Sequence, residues 1–135
     1  MKLLLAASAL LAACATTNDG PPWLFHAVGQ ARDAHKPLVV EFYTKWCGPC
    51  QTFEAKVLPD PRVQEQLSRV MFVRYDAEER VGRDAAARCR INAYPTFLGI
   101  DREGTIRLLK KGAQDTPDDF LEFLKQTQRV LGSPG

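Results

Sequence analysis

The apolar residues of this chain fall into short runs of two different periods. Leu38-Val39-Val40 and Phe42-Tyr43 are β-branched or aromatic, interrupted only by Glu41, and predict a buried strand over 37–43. Residues 70–75 predict a second strand. Residues 96–100 and 105–109 predict two more, joined by Asp101-Arg102-Glu103-Gly104, a hairpin signal. Between the strands the spacing turns helical. Trp23, Phe25, Ala27, Val28 and Ala31 mark a helix over 23–35, and Phe53, Val57 and Leu58 mark one over 51–58. Asp60-Pro61 is a helix start, with Val63 and Leu67 four apart on one face, and 79–89 reads as a further helix. Gly112 breaks the chain before Pro117 opens the last helix, whose apolar face is Phe120, Leu121, Phe123, Leu124 and Val130. Strand–helix units followed by an antiparallel pair predict an α/β domain, a mixed central sheet flanked by helices.

Chemistry enters where the first strand gives way to a helix, at Trp46-Cys47-Gly48-Pro49-Cys50. A helix beginning near Cys47 aims unpaired backbone N–H groups and the positive end of its dipole at that sulfur. Both favour thiolate, the attacking species; thiols so placed ionise near pH ~7 rather than about 8.5. Cys50, one turn on, lies on the same side and can attack a mixed disulfide formed at Cys47. Gly48 permits close approach of another backbone, and Pro49 sits early in the helix, where a missing N–H costs little. Half a zinc site is the competing reading, but zinc needs a second Cys or His pair. The other candidates are Cys14, Cys89, His26 and His35, which form no such pair, so no metal is expected. A structural disulfide closing so small a ring would stabilise little. A redox dithiol is the reading that remains, with no cofactor beyond the Cys47–Cys50 pair itself.

Glu41-Phe42-Tyr43-Thr44-Lys45-Trp46-Cys47-Gly48-Pro49-Cys50 resembles the active-site segment of the thioredoxin family, and Ala93-Tyr94-Pro95-Thr96-Phe97 resembles that family's cis-proline segment. The resemblance runs from about Trp23 to Leu131 and implies a thioredoxin fold with an added N-terminal helix. It also implies a cis Tyr94–Pro95 bond beside the dithiol, with the Tyr94 backbone open to an extended substrate segment. Substrate contacts are expected at Trp46, Gly48, Pro49, Tyr94 and Pro95. Where the family usually has a buried aspartate that accepts the resolving cysteine's proton, this chain has Glu41. An acid in so apolar a run is costly without a task, and glutamate could serve through a longer arm. Lys45 could add positive potential near Cys47, although a lone surface lysine is more often simply solvated, and Cys89 is expected to pack as a small apolar residue rather than act as a third redox thiol.

The first residues read differently. Met1-Lys2 is a short positive start, and residues 3–13 are apolar apart from Ser8, the length of a signal-peptide core and short of the ~20 residues that span a bilayer. Leu11-Ala12-Ala13-Cys14 resembles a bacterial lipobox, implying cleavage before Cys14 and lipid on its sulfur. Residues 14–22 then form a polar tether and 23–135 the thioredoxin-like domain. More than one acyl chain gives stable attachment where a single chain is marginal. Ala15, not an aspartate, follows the cysteine, and in a Gram-negative cell the resemblance to sorted lipoproteins implies the outer membrane, facing the periplasm. Eighteen basic residues against sixteen acidic give a net charge of +2, with no dense basic run, so no nucleic-acid partner is expected.

These features together predict a lipid-anchored, monomeric thiol–disulfide oxidoreductase outside the cytoplasm. Gly48-Pro49 between the cysteines resembles the reducing members of the family, whose potential is near −270 mV, roughly, against about −120 mV for the oxidising ones. A reductase in an oxidising compartment needs electrons, so a membrane electron-donor thiol protein is an expected partner beside the protein disulfide substrates. The rivals are a disulfide oxidase or isomerase of the same fold and a copper-binding assembly module. The copper-delivery relatives of the fold use a histidine further along, and no histidine follows His35 here.

Overall fold

Four of the apolar runs assemble into one mixed sheet. A computed structural model describes residues 22–132, in which β1 (Leu38–Tyr43), β2 (Met71–Asp76), β3 (Thr96–Ile100) and β4 (Ile106–Lys111) lie in the order β2-β1-β3-β4. β1 runs parallel to β2 and antiparallel to β3, and β3 runs antiparallel to β4. Five α-helices surround it: α1 (Pro22–Asp33), α2 (Gly48–Thr52), α3 (Pro61–Leu67), α4 (Arg80–Arg88) and α5 (Pro117–Leu131). This is the mixed sheet with flanking helices that the sequence predicts, opened by the extra helix. The expected leader, Cys14 and the tether up to residue 21 lie outside the described residues.

The period-two alternation of β1 serves two cores. Leu38, Val40 and Phe42 pack with Leu24, Ala27, Val28 and Ala31 of α1 and with Ala85 and Ala86 of α4. Val39 faces the other way, into a cluster built on Phe53, Phe97, Phe120 and Phe123. Covering both faces explains why β1 and β3 read as near-continuous apolar runs. Phe120 is the hub of the second core: its ring lies 4.8 Å from that of Phe53 and 5.2 Å from that of Phe97. Because Phe53 directly follows α2, this cluster fixes the height of the active-site helix on the sheet.

Caps and turns follow local chemistry. Asp60 caps α3, its Oδ1 accepting the Arg62 N–H at 2.8 Å. Thr116 and Asp119 form a reciprocal capping box at the start of α5. In the β3–β4 hairpin Asp101 Oδ1 accepts the N–H groups of Glu103 and Thr105, and Gly104 takes the left-handed backbone (φ 86°) that the turn requires. β4 runs two residues past the last apolar position, because Lys110 and Lys111 continue the ladder opposite Phe97 and Thr96. The helix expected over 51–58 is in fact α2 followed by a π-helical segment, Phe53–Val57. Among the described residues no helix is long and apolar enough to cross a membrane.

Candidate active site

Beyond Tyr43 the chain turns once before α2. Cys47 is the residue that caps that helix: its backbone is extended (φ −76°, ψ 112°) and its Sγ accepts the Cys50 N–H at 3.2 Å. The turn is held from both sides, by Cys47 N–H on the Thr44 carbonyl and by the Gln51 side-chain amide on the Lys45 carbonyl at 2.7 Å. Cys47 and Cys50 are joined in a disulfide, with Cα atoms 5.2 Å apart. Both cysteines are buried, so position rather than exposure distinguishes them. Only Cys47 has its sulfur at the helix mouth, where a thiolate is stabilised by an N–H that is already in place.

The second sequence segment arrives beside the first. Tyr94–Pro95 is cis, and the Cys47 Sγ lies 3.4 Å from the Tyr94 carbonyl oxygen. Pro95 is tied back by its carbonyl, which accepts the Gly112 N–H at 2.8 Å, and Thr96 Oγ1 donates to the Ala93 carbonyl at 2.6 Å. Among the described residues the Tyr94 N–H makes no backbone hydrogen bond. Trp46 meets the Tyr94 ring edge-on at 6.3 Å and is 69% exposed, an aromatic shelf beside the dithiol. A Cβ built on Gly48 would touch nothing within 4 Å, so the approach to Cys47 from that side is open.

Glu41 is wholly buried, on the sheet face that the Phe53 cluster covers. Its partner is Arg74, the residue opposite it in the β1–β2 register: Arg74 Nε donates to Glu41 Oε2 at 2.5 Å, while Oε1 is buried with no partner among the described residues. Burial pushes the Glu41 carboxyl above its ordinary 4.5, Arg74 pulls it back, and Glu54 adds to the rise. Arg74 also reaches Glu54 Oε2 through Nη2 at 3.3 Å, and its guanidinium lies 4.5 Å from the Tyr43 ring centroid. Sequence reading missed Arg74. The signal was there: one arginine interrupts the second apolar run as one glutamate interrupts the first.

Lys45 is otherwise engaged than expected. Its Nζ lies 3.4 Å from Asp76 Oδ2 and 4.0 Å from Glu79 Oε1, and its N–H donates to Glu78 Oε2 at 3.1 Å. The positive charge beside Cys47 is thus met by carboxylates, and its role is to pin the turn to the end of β2. Cys89 is buried in the cluster with Ala85 and Ala86, but no cysteine among the described residues is a free thiol, so it is not the unpartnered small apolar residue expected.

A dithiol at a helix mouth, set against a cis-proline carbonyl on a four-stranded mixed sheet, defines a thioredoxin-like thiol–disulfide oxidoreductase domain. The chain belongs to the Thioredoxin-like domain family, whose model matches residues 24–128. It is 30% identical over 119 residues to the thiol:disulfide interchange protein DsbD of Pseudomonas fluorescens, a match covering 85% of this chain and 20% of that protein. It is 31% identical over 117 residues to the mitochondrial thioredoxin of Rattus norvegicus, covering 84% of this chain and 64% of that one. The chain therefore spans less than two thirds of either relative. The solution structure of a thioredoxin from Thermus thermophilus superposes with a TM-score of 0.66 at 26% identity, covering 75% of this chain and 80% of that one.

Proposed function

We propose that the protein reduces protein disulfides outside the cytoplasm, acting as a monomer tethered by lipid on Cys14. The observation that carries this reading is the Cys47 sulfur, held between the Cys50 N–H at 3.2 Å and the Tyr94 carbonyl at 3.4 Å. The Cys47 thiolate attacks one sulfur of a substrate disulfide and expels the other as a thiolate, leaving a mixed disulfide. Glu41 takes the Cys50 proton, and the Cys50 thiolate then attacks the Cys47 sulfur. The second substrate sulfur leaves as a thiolate and is protonated from solvent. Two electrons have passed from the dithiol to the substrate, and the Cys47–Cys50 disulfide remains, with no cofactor needed. A dithiol protein of the membrane restores the reduced form by the same exchange.

Substrate enters as an extended segment along Tyr94, whose N–H and carbonyl pair with it as an added strand would. Trp46, Gly48, Pro49 and Pro95 form the rest of that surface. The name of the Pseudomonas fluorescens relative, a thiol:disulfide interchange protein, supports the exchange chemistry. Gly48-Pro49 supports the reducing direction, and the apolar leader ending at Cys14 supports the location. Equilibration against glutathione couples tests the direction: a potential near −270 mV, roughly, is expected, and one near about −120 mV would make the protein an oxidant. Palmitate labelling that is lost in Cys14→Ser tests the anchor; labelling that persists would remove it.

A further inference from the structure

Arg74 is one cation serving two carboxylates from different elements. Glu41, on β1, is fully buried; Glu54, four residues after Cys50 on the π-helical continuation of α2, has a side chain 62% exposed. The two bonds leave from separate nitrogens, Nε to Glu41 and Nη2 to Glu54, so both can be made at once. Stacking on Tyr43 holds the guanidinium plane in place. An arginine does not release its proton in a protein, so Arg74 is neither acid nor base here. Its effect on the buried carboxylate is electrostatic, and Glu54 opposes that effect from the surface.

The groups that face Glu41 are few. Arg74 comes from β2 and Tyr43 from β1 itself, with Asp76 acting on Tyr43 from the end of β2. The π-helical continuation of the active-site helix brings Glu54, and β3 sets the apolar Phe97 opposite in register. We infer that Arg74 is a positioning residue of the resolving step, shared between Glu41 and Glu54, so that the surface carboxylate tunes how readily the buried one accepts the Cys50 proton. This rests on the reading of Glu41 as that acceptor. When Glu54 is ionised it draws on the guanidinium and favours the neutral form of Glu41. Neutralising Glu54 leaves Arg74 to Glu41 alone, and Glu41 stays ionised to lower pH.

The test isolates the intramolecular step. Reduced full-length protein is mixed with Ellman's reagent, and release of thionitrobenzoate from Cys47 by Cys50 is followed by stopped flow between pH ~5 and ~9, the range over which a buried carboxyl and a thiol change charge. The wild-type rate is expected to rise with pH along a limb set by Glu41. Glu54→Gln is expected to move that limb to lower pH and Arg74→Gln to higher pH, with Arg74→Lys between Arg74→Gln and wild type. All should converge near pH ~9, where Cys50 ionises unaided. Glu54 is exposed, so its variant decides the matter even if Arg74→Gln fails to fold. A limb abolished by Glu41→Gln but unmoved by Glu54→Gln would reduce Arg74 to a structural ion pair and overturn the inference. A limb that survives Glu41→Gln would overturn the proton-acceptor reading, and this inference with it.

Discussion

The Cys47 sulfur sits 3.4 Å from the carbonyl oxygen of Tyr94, a residue 47 positions further along the chain. That contact joins the nucleophile to the backbone on which a substrate would lie. Attack on a disulfide needs its sulfur close to Cys47 and aligned with it, and in the proposed function backbone pairing at Tyr94 would supply the alignment.

Trp46 extends the same surface, and its exposure separates binding from stability. Trp46→Ala is expected to leave unfolding free energy within about 0.5 kcal/mol of wild type, the usual range for surface changes. The variant should raise KM for a folded protein disulfide while leaving the rate with a small aromatic disulfide nearly unchanged. Steady-state kinetics on the two substrate types, alongside urea melts, check both halves.

Glu41 gives a pH signature in stability as well as in rate. Burial raises its folded-state pKa above 4.5, so between that value and the raised one the folded protein binds more protons than the unfolded chain. The carboxyl's contribution to stability is therefore present at low pH and is lost as pH climbs through that window. Glu41→Gln removes the titration. Its stability relative to wild type is expected to rise with pH from about 4.5 upward, read by denaturant melts at a series of pH values. A difference that stays flat across the window would mean that Glu41 is ionised at its ordinary pKa.

Gly82 marks where α4 touches the end of β2. A Cβ there would lie 1.9 Å from the Asp76 carbonyl oxygen, which is main chain and cannot swing aside. Gly82→Ala is expected to cost more than the ~1–3 kcal/mol typical of overpacking, measured by urea unfolding. Because Asp76 also holds Lys45, the displacement should reach the turn before Cys47 and slow disulfide reduction in whatever fraction folds.

Local pattern carried much of this molecule. The apolar run in residues 38–43, the hairpin at Asp101–Gly104 and the helix start at Pro117 each depend on neighbours in sequence, and each is where the pattern puts it. The dithiol was legible for the same reason, since its chemistry needs only a helix mouth and three residues. What sequence reading missed lay in pairings across distance. Arg74 meets Glu41 only because β1 and β2 run parallel in one register, and 33 residues separate them. Lys45 stands beside a thiol in sequence, yet Asp76 at the end of β2 and Glu79 at the start of α4 reach it in the fold. The π-helical turn at Phe53–Val57, where Phe53 packs on Phe97 and Phe120, is likewise not encoded in helical periodicity.

The central claim is that Cys47 captures substrate and Cys50 releases it. Cys50→Ala in the otherwise intact reduced protein, mixed with an oxidised protein disulfide and quenched in acid, tests it directly. Peptide mass spectrometry should find a stable one-to-one mixed disulfide on Cys47, with no turnover, and Cys47→Ala should capture far less. Steady turnover by Cys50→Ala, or an adduct carried by another cysteine, would contradict the account.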